Sequence, residues 1–206
     1  MRGLVRIISM CGVVVSALVL TTSIAGCSGG SKKASATTTT TVSPAIAASD
    51  NLQSLIIPAP VGFAEDQTNG AAGAISPSVF SQYGGSESSS KAGFVAGYKE
   101  SYVDSYDPDG ITVTLMKFNS PQNASAYFAS TGRKTLSFAA ATITPFSLIP
   151  GAFSVAGTKE YAGEWANGIV FATGPYYVSV VYVNAAQGAP PGELKQWAKT
   201  QWLMLN

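Results

Sequence analysis

An α+β fold is expected: an antiparallel sheet with helices packed on one face, in the order strand-strand-helix, then strands, then helix. Three observations predict it. Residues 111–118 (ITVTLMKF) alternate, with Ile111, Val113 and Leu115 on one side and Thr112 and Thr114 on the other, the period of a half-buried strand. Residues 176–183 (YYVSVVYV) form the most β-prone run of the chain and are apolar on nearly both faces, as in a central strand. Two segments with helical spacing follow such strands, one opened by Ser120-Pro121 and one by Pro190-Pro191.

Each element follows in order. Residues 51–60 and 77–83 are short pieces expected to cover an edge or an end of the sheet. Residues 93–103 (GFVAGYKESYV) are rich in aromatic and β-branched types and predict a strand. Asp107-Pro108-Asp109-Gly110 is a turn signal that joins it to 111–118 as a hairpin. Ser120 is placed as an N-cap and Pro121 at the first helical position, and Ala124, Tyr127, Phe128 and Thr131 recur at helical spacing until Gly132 ends the helix. Residues 142–149 fit no single template, and Pro150-Gly151 marks a turn. Strands are expected at 159–165 and 169–173, with Gly174-Pro175 turning the chain into 176–183. The last helix carries Leu194, Trp197, Ala198, Trp202 and Leu205 on one face.

Charge and residue usage narrow the function classes. From Asp50 onward the chain has eight Lys/Arg against eleven Asp/Glu. A weakly acidic domain without a basic stripe argues against nucleic acid as a partner and against electrostatic docking on anionic lipid. Histidine is absent, and the two cysteines, Cys11 and Cys27, both precede residue 50. The domain therefore has no disulfide, no thiol nucleophile and neither of the two commonest zinc ligands. No metal or other cofactor is expected, and any catalysis must rest on carboxylates, tyrosine, lysine, serine or main chain.

The first 26 residues read as an export signal. Arg2 and Arg6 precede an apolar stretch over 7–20. Ile24-Ala25-Gly26-Cys27 then resembles the lipobox of bacterial lipoproteins, with Ile24 where leucine is commoner. The resemblance implies cleavage after Gly26, a thioether diacylglycerol on Cys27, and acylation of the new amino group. Each buried methylene contributes about 0.8 kcal/mol, so two or three chains hold the protein on the membrane. Residues 28–49 (SGGSKKASATTTTTVSPAIAAS) lack aromatics and apolar periodicity and predict a flexible tether spanning about 25 Å. Their Thr run resembles O-glycosylated stalks as well as a plain spacer, and tethers of this composition resemble those of actinobacterial lipoproteins. The expected organisation is a signal over 1–26, acylated Cys27 with its tether to residue 49, and one α+β domain over 50–206, on the outer face of the cell membrane.

Candidate sites in the domain are few. Asp104, Asp107 and Asp109 carry a D-x-D-G pattern but run straight into a strand, which favours a hairpin turn over a calcium loop. Glu160 and Glu164 are the one carboxylate pair flanked by aromatics, Tyr161 and Trp165; glycosidase chemistry needs such a pair, but an exposed strand face carrying two solvated charges is the favoured explanation. No catalytic residue is assigned. The aromatic row of the first strand draws most interest: strict alternation puts Phe94, Tyr98 and Tyr102 on one face, where they line a pocket or simply pack. The leading expectation is a non-enzymatic, anchored domain that binds an envelope lipid, glycolipid, glycan or protein. A carboxylate-based envelope hydrolase and a structural accessory of a membrane complex are the alternatives. Replacing Cys27 with Ala is expected to move the protein from the detergent phase to the aqueous phase in phase partitioning; unchanged partitioning points to a membrane-spanning anchor instead.

Overall fold

The computed structural model describes residues 51–68, 70–84, 87–89, 91–105, 109–132, 141–157, 165–184 and 192–206, all within the compact unit Val42–Asn206. The leader and tether lie outside the described residues, and Gly26 and Cys27 with them. Eight strands are described: β1 (Phe63–Glu65), β2 (Gly73–Ile75), β3 (Phe94–Asp104), β4 (Gly110–Phe118), β5 (Ala141–Phe146), β6 (Ala152–Gly157), β7 (Trp165–Thr173) and β8 (Tyr176–Asn184). They form one sheet in the order β1-β3-β4-β8-β7-β6-β5, with β2 also on β3, and every pairing is antiparallel. The described residues also hold the helices α1 (Pro121–Tyr127) and α2 (Gly192–Met204), so the protein is α+β.

Local signals explain most of these elements. The hairpin of β3 and β4 pairs Tyr102 with Ile111 and Tyr98 with Leu115. β8 lies between β4 and β7, the central position that its two apolar faces require. β7 and β8 are joined at Gly174, whose φ of 50° places it in the left-handed region, and glycine is favoured at that first position of a tight hairpin loop. Ser120 caps α1 by accepting from the Asn123 amide at 3.2 Å, with Pro121 in the first turn. After Tyr127 the helix widens into a π-helical turn, Phe128–Gly132. Residues 142–149, which fit no template, fall largely in edge strand β5, and β6 pairs it to β7. The strand expected at 159–165 lies outside the described residues up to Trp165, where β7 begins.

The helices divide between the two faces of the sheet, which corrects the expectation of a single covered face. On one side α2 lays Leu194 and Ala198 over Val113, Leu115, Ile169, Phe171, Val178 and Val180. On the other, α1 lays Ala124 and Tyr127 over Met116, Phe118, Val170 and Tyr177, with Phe80 from a 3-10 turn, Phe80–Tyr83, beside them. The reason is the composition of the central strands. β4 alternates Val113 and Leu115 with Met116 and Phe118, and β8 alternates Val178 and Val180 with Tyr177, so each strand presents apolar groups on both sides. Leaving either side in water forfeits about 25 cal/mol for each Å² of apolar surface.

Residues 51–57 share the α2 face. Leu52, Ile56 and Ile57 are buried in its core. Their backbone is held by Gln201 of α2, which is 0% exposed. Its Oε1 accepts from the Ile57 amide at 2.9 Å and its Nε2 donates to the Leu55 carbonyl at 2.7 Å. The Tyr102 hydroxyl donates to the Ile57 carbonyl at 2.5 Å. This segment is therefore an integral layer of the core rather than an edge cover.

Candidate functional site

The aromatic row does not survive as one face. The pairing of β3 with β4 slips between Phe94 and Ala96, and such a bulge inserts one residue and reverses the alternation beyond it. Phe94 consequently lies on the α1 face, its ring stacked on Phe80 at a centroid distance of 4.4 Å. Tyr98 and Tyr102 lie on the α2 face. Of these two, Tyr102 is a core residue whose hydroxyl is engaged by Ile57. Burial pushes that phenol up from its ordinary value, and the charges of Glu100 and Glu65 push it further. Tyr98 lines a cavity.

That cavity is a cleft of about 360 Å³ at the edge of the sheet, lined by Gln53, Glu65, Asp66, Thr68, Tyr98 and Glu100 among others. Its origin lies in how the edge of β3 is shared. β1 pairs with residues 102–104 of β3 and β2 with residues 97–99. The connection between them cannot follow the strand and leaves it opposite Glu100 and Ser101. Several bonds shape that loop. The Asp66 amide donates to the Ser101 carbonyl at 2.8 Å, the Thr68 amide to the Asp66 carboxylate at 2.9 Å, and the Ser101 hydroxyl to the Ala71 carbonyl at 2.8 Å. Gly97 makes room for β2, since a Cβ there would stand 3.1 Å from that of Ile75 and 3.0 Å from the Leu115 carbonyl.

Glu100 is the unusual group in the cleft. Only 6% of it is exposed, and carboxylates this buried are ordinarily paired with a cation. Its one hydrogen bond among the described residues is a long one, 3.4 Å from the Gln53 side-chain amide. Burial raises its pKa above the ordinary 4.5, the nearby Glu65 raises it further, and the Gln53 amide opposes both. Two carboxyl groups in unlike surroundings, Glu100 buried and Glu65 exposed, thus share one cavity.

The other charged candidates resolve differently. Asp109 accepts a hydrogen bond from the Tyr182 hydroxyl, so its carboxylate closes the hairpin end. Asp107, Glu160 and Glu164 lie outside the described residues. On the α1 face, a cleft of about 290 Å³ is bordered by Phe80, Asn123, Tyr127 and Thr131. Its charges, Glu87 and Lys91, neutralise each other at 3.5 Å. A smaller groove of about 190 Å³ lies between Tyr83, Tyr127 and Tyr177, where the Tyr127 hydroxyl is engaged by the Tyr83 carbonyl at 2.6 Å. Tyr98 is the one cleft residue singled out from the sequence. Gln53, Glu65, Asp66 and Thr68 escaped notice because no local pattern joins them to β3; Gln53 and Glu100 are 47 positions apart.

No family model matches the chain, and no curated protein does. Among solved structures, the chain is similar to the crystal structure of the extracellular domain of PknH from Mycobacterium tuberculosis, with a TM-score of 0.48 and 12% identity over 74% of this chain and 94% of that one. Among the described residues no helix is long and apolar enough to cross a membrane.

The burial of Glu100 has a pH signature. Its folded-state pKa lies above the unfolded value, so the native state holds the proton more tightly. Its contribution to stability is complete below about pH 4 and is lost as pH rises through the folded pKa. Glu100→Gln is therefore expected to raise the melting temperature at neutral pH, by about 2 °C or more, with the gain vanishing below about pH 4. A variant less stable than wild type at neutral pH contradicts this reading of the cleft.

Proposed function

We propose that this chain is an exported, Cys27-anchored, non-enzymatic binding module of the cell envelope, and that the cleft between β1, β2 and β3 takes a hydroxyl-rich, glycan-like ligand. The cleft's chemistry carries the reading. Its lining offers carboxylate and side-chain amide oxygens as acceptors and amide and hydroxyl hydrogens as donors, with Tyr98 on its wall. Sugar rings present the complementary set, hydroxyls at the rim and C–H faces above and below. An acyl chain finds little there to replace the water it leaves, so among the ligand classes expected from the sequence the glycan is favoured over the lipid. The lipobox resemblance at 24–27 supports a position at the membrane surface, and the composition of 28–49 supports a tether with reach into the surrounding polymer.

A second reading is favoured by one observation: Glu65 and Glu100 share the cleft, and Glu100 holds its proton above the usual carboxylate range. Glycoside hydrolysis uses two carboxyl groups in unlike surroundings, one of them with a raised pKa. The two readings separate in one experiment. Full-length protein in detergent is titrated with oligosaccharides of neutral hexoses and N-acetylhexosamines, with melting temperature and product release followed together. Binding predicts a ligand-dependent rise in melting temperature without turnover, weakened about tenfold in Tyr98→Ala. Undiminished affinity in that variant puts the site elsewhere, and turnover abolished by Glu100→Gln replaces the module with a hydrolase.

A further inference from the structure

We infer that the ligand of this cleft carries a cationic nitrogen, and specifically that the cleft selects a glycan bearing a free, protonated amino group over its N-acetylated or neutral counterpart; this rests on the cleft being the ligand site. Three observations carry the inference. The cavity is lined by three carboxylates, Glu65, Asp66 and Glu100, and among the described residues that line it there is no lysine or arginine. Glu100 is 6% exposed, and its one hydrogen bond among the described residues, from the Gln53 side-chain amide, is a long one of 3.4 Å. Tyr98 lines the same cavity, and an ammonium is attracted both to a carboxylate and to the face of an aromatic ring.

Neighbouring cations do not supply the missing charge. Lys99 alternates with Tyr98 and Glu100 along β3 and so sits on the opposite face of the strand, and its ammonium donates to the Gly70 carbonyl at 2.6 Å. The amide of Gln53 lowers the cost of an ionised Glu100 but brings no charge. Burying a carboxylate without a charged partner is costly, and a ligand ammonium lowers that cost while gaining a charge-assisted hydrogen bond. Burial of Glu100 thus disfavours its charge, and an ammonium beside it favours the ionised form.

The test compares the trimer of glucosamine with the trimer of N-acetylglucosamine, titrated calorimetrically into full-length protein in detergent at about pH 6, where sugar amines are protonated. The free-amine trimer is expected to bind about tenfold more tightly, the worth of a hydrogen bond to a charged group. That advantage is expected to fall below about threefold in Glu100→Gln and to shrink on raising the salt from about 0.1 M to about 1 M. Equal affinities for the two trimers, or a preference that Glu100→Gln leaves intact, overturn the amine selectivity while the glycan reading stands. Binding of neither trimer nor any neutral oligosaccharide overturns both. Circular dichroism of Glu100→Gln, an isosteric change that keeps the Gln53 contact, separates a lost preference from a lost fold.

Discussion

The side chain of Gln201 is the contact on which the cleft and the α2-face core jointly depend. It is buried completely, yet both ends of its amide are matched, to the Ile57 amide and the Leu55 carbonyl. With the Tyr102 hydroxyl on the Ile57 carbonyl, three hydrogen bonds tie residues 55–57 to α2 and β3 at once. Each such bond adds about 1 kcal/mol net, but removing one partner strands a buried backbone group at a cost of about 1–3 kcal/mol. The geometry is therefore enforced more by what failure costs than by what formation yields. Once it is set, Leu52, Ile56 and Ile57 fill the core, and Gln53, on the same short segment, is brought to Glu100. One wall of the cleft is thus a by-product of core packing.

The opposite wall comes from the sharing of β3. Had β1 continued along the whole edge of β3, Glu100 and Ser101 would lie in an unbroken ladder. Instead β1 and β2 take three residues each, and the chain between them leaves the ladder, touching β3 at the Ser101 carbonyl through the Asp66 amide and at the Ser101 hydroxyl through the Ala71 carbonyl. The slip at Val95 acts on the same strand from its other end, sending Phe94 to the α1 face while Tyr98, Glu100 and Tyr102 share the α2 face. A polar cleft thus rests partly on a rigid element: β3 is tied to β4 over most of its length, and Tyr98 and Glu100 line the cleft from it. Rigid placement of a few polar groups is what selective recognition requires.

Local structure was legible where a few adjacent residues decide it. The β3–β4 and β7–β8 hairpins, the Ser120 cap with Pro121, and the buried face of α2 all rest on spacing and turn chemistry that one pass along the chain reveals. The division of the helices between two faces was also present in the sequence. Residues 176–183 are apolar on both sides, and that pattern demands cover on both. The bulge at Val95 was not legible, because it changes which residues share a face without changing their types. Nor was the cleft: Gln53, Glu65 and Glu100 meet only through long-range pairing and through a glutamine, Gln201, whose type ordinarily signals a solvent-facing position.

Residues 52–57 belong to the folded core and thereby build the cleft, even though a tether-like sequence leads directly into them. Native-state hydrogen exchange at the Ile57 amide tests this most directly, since that hydrogen is donated to Gln201 alone. It is expected to exchange as slowly as the amides of β4 and β8, through global unfolding, and to become fast in Gln201→Leu while β4 stays protected. Exchange at Ile57 in the wild-type protein as fast as in an unstructured linker would contradict the account, leaving the cleft without its Gln53 wall.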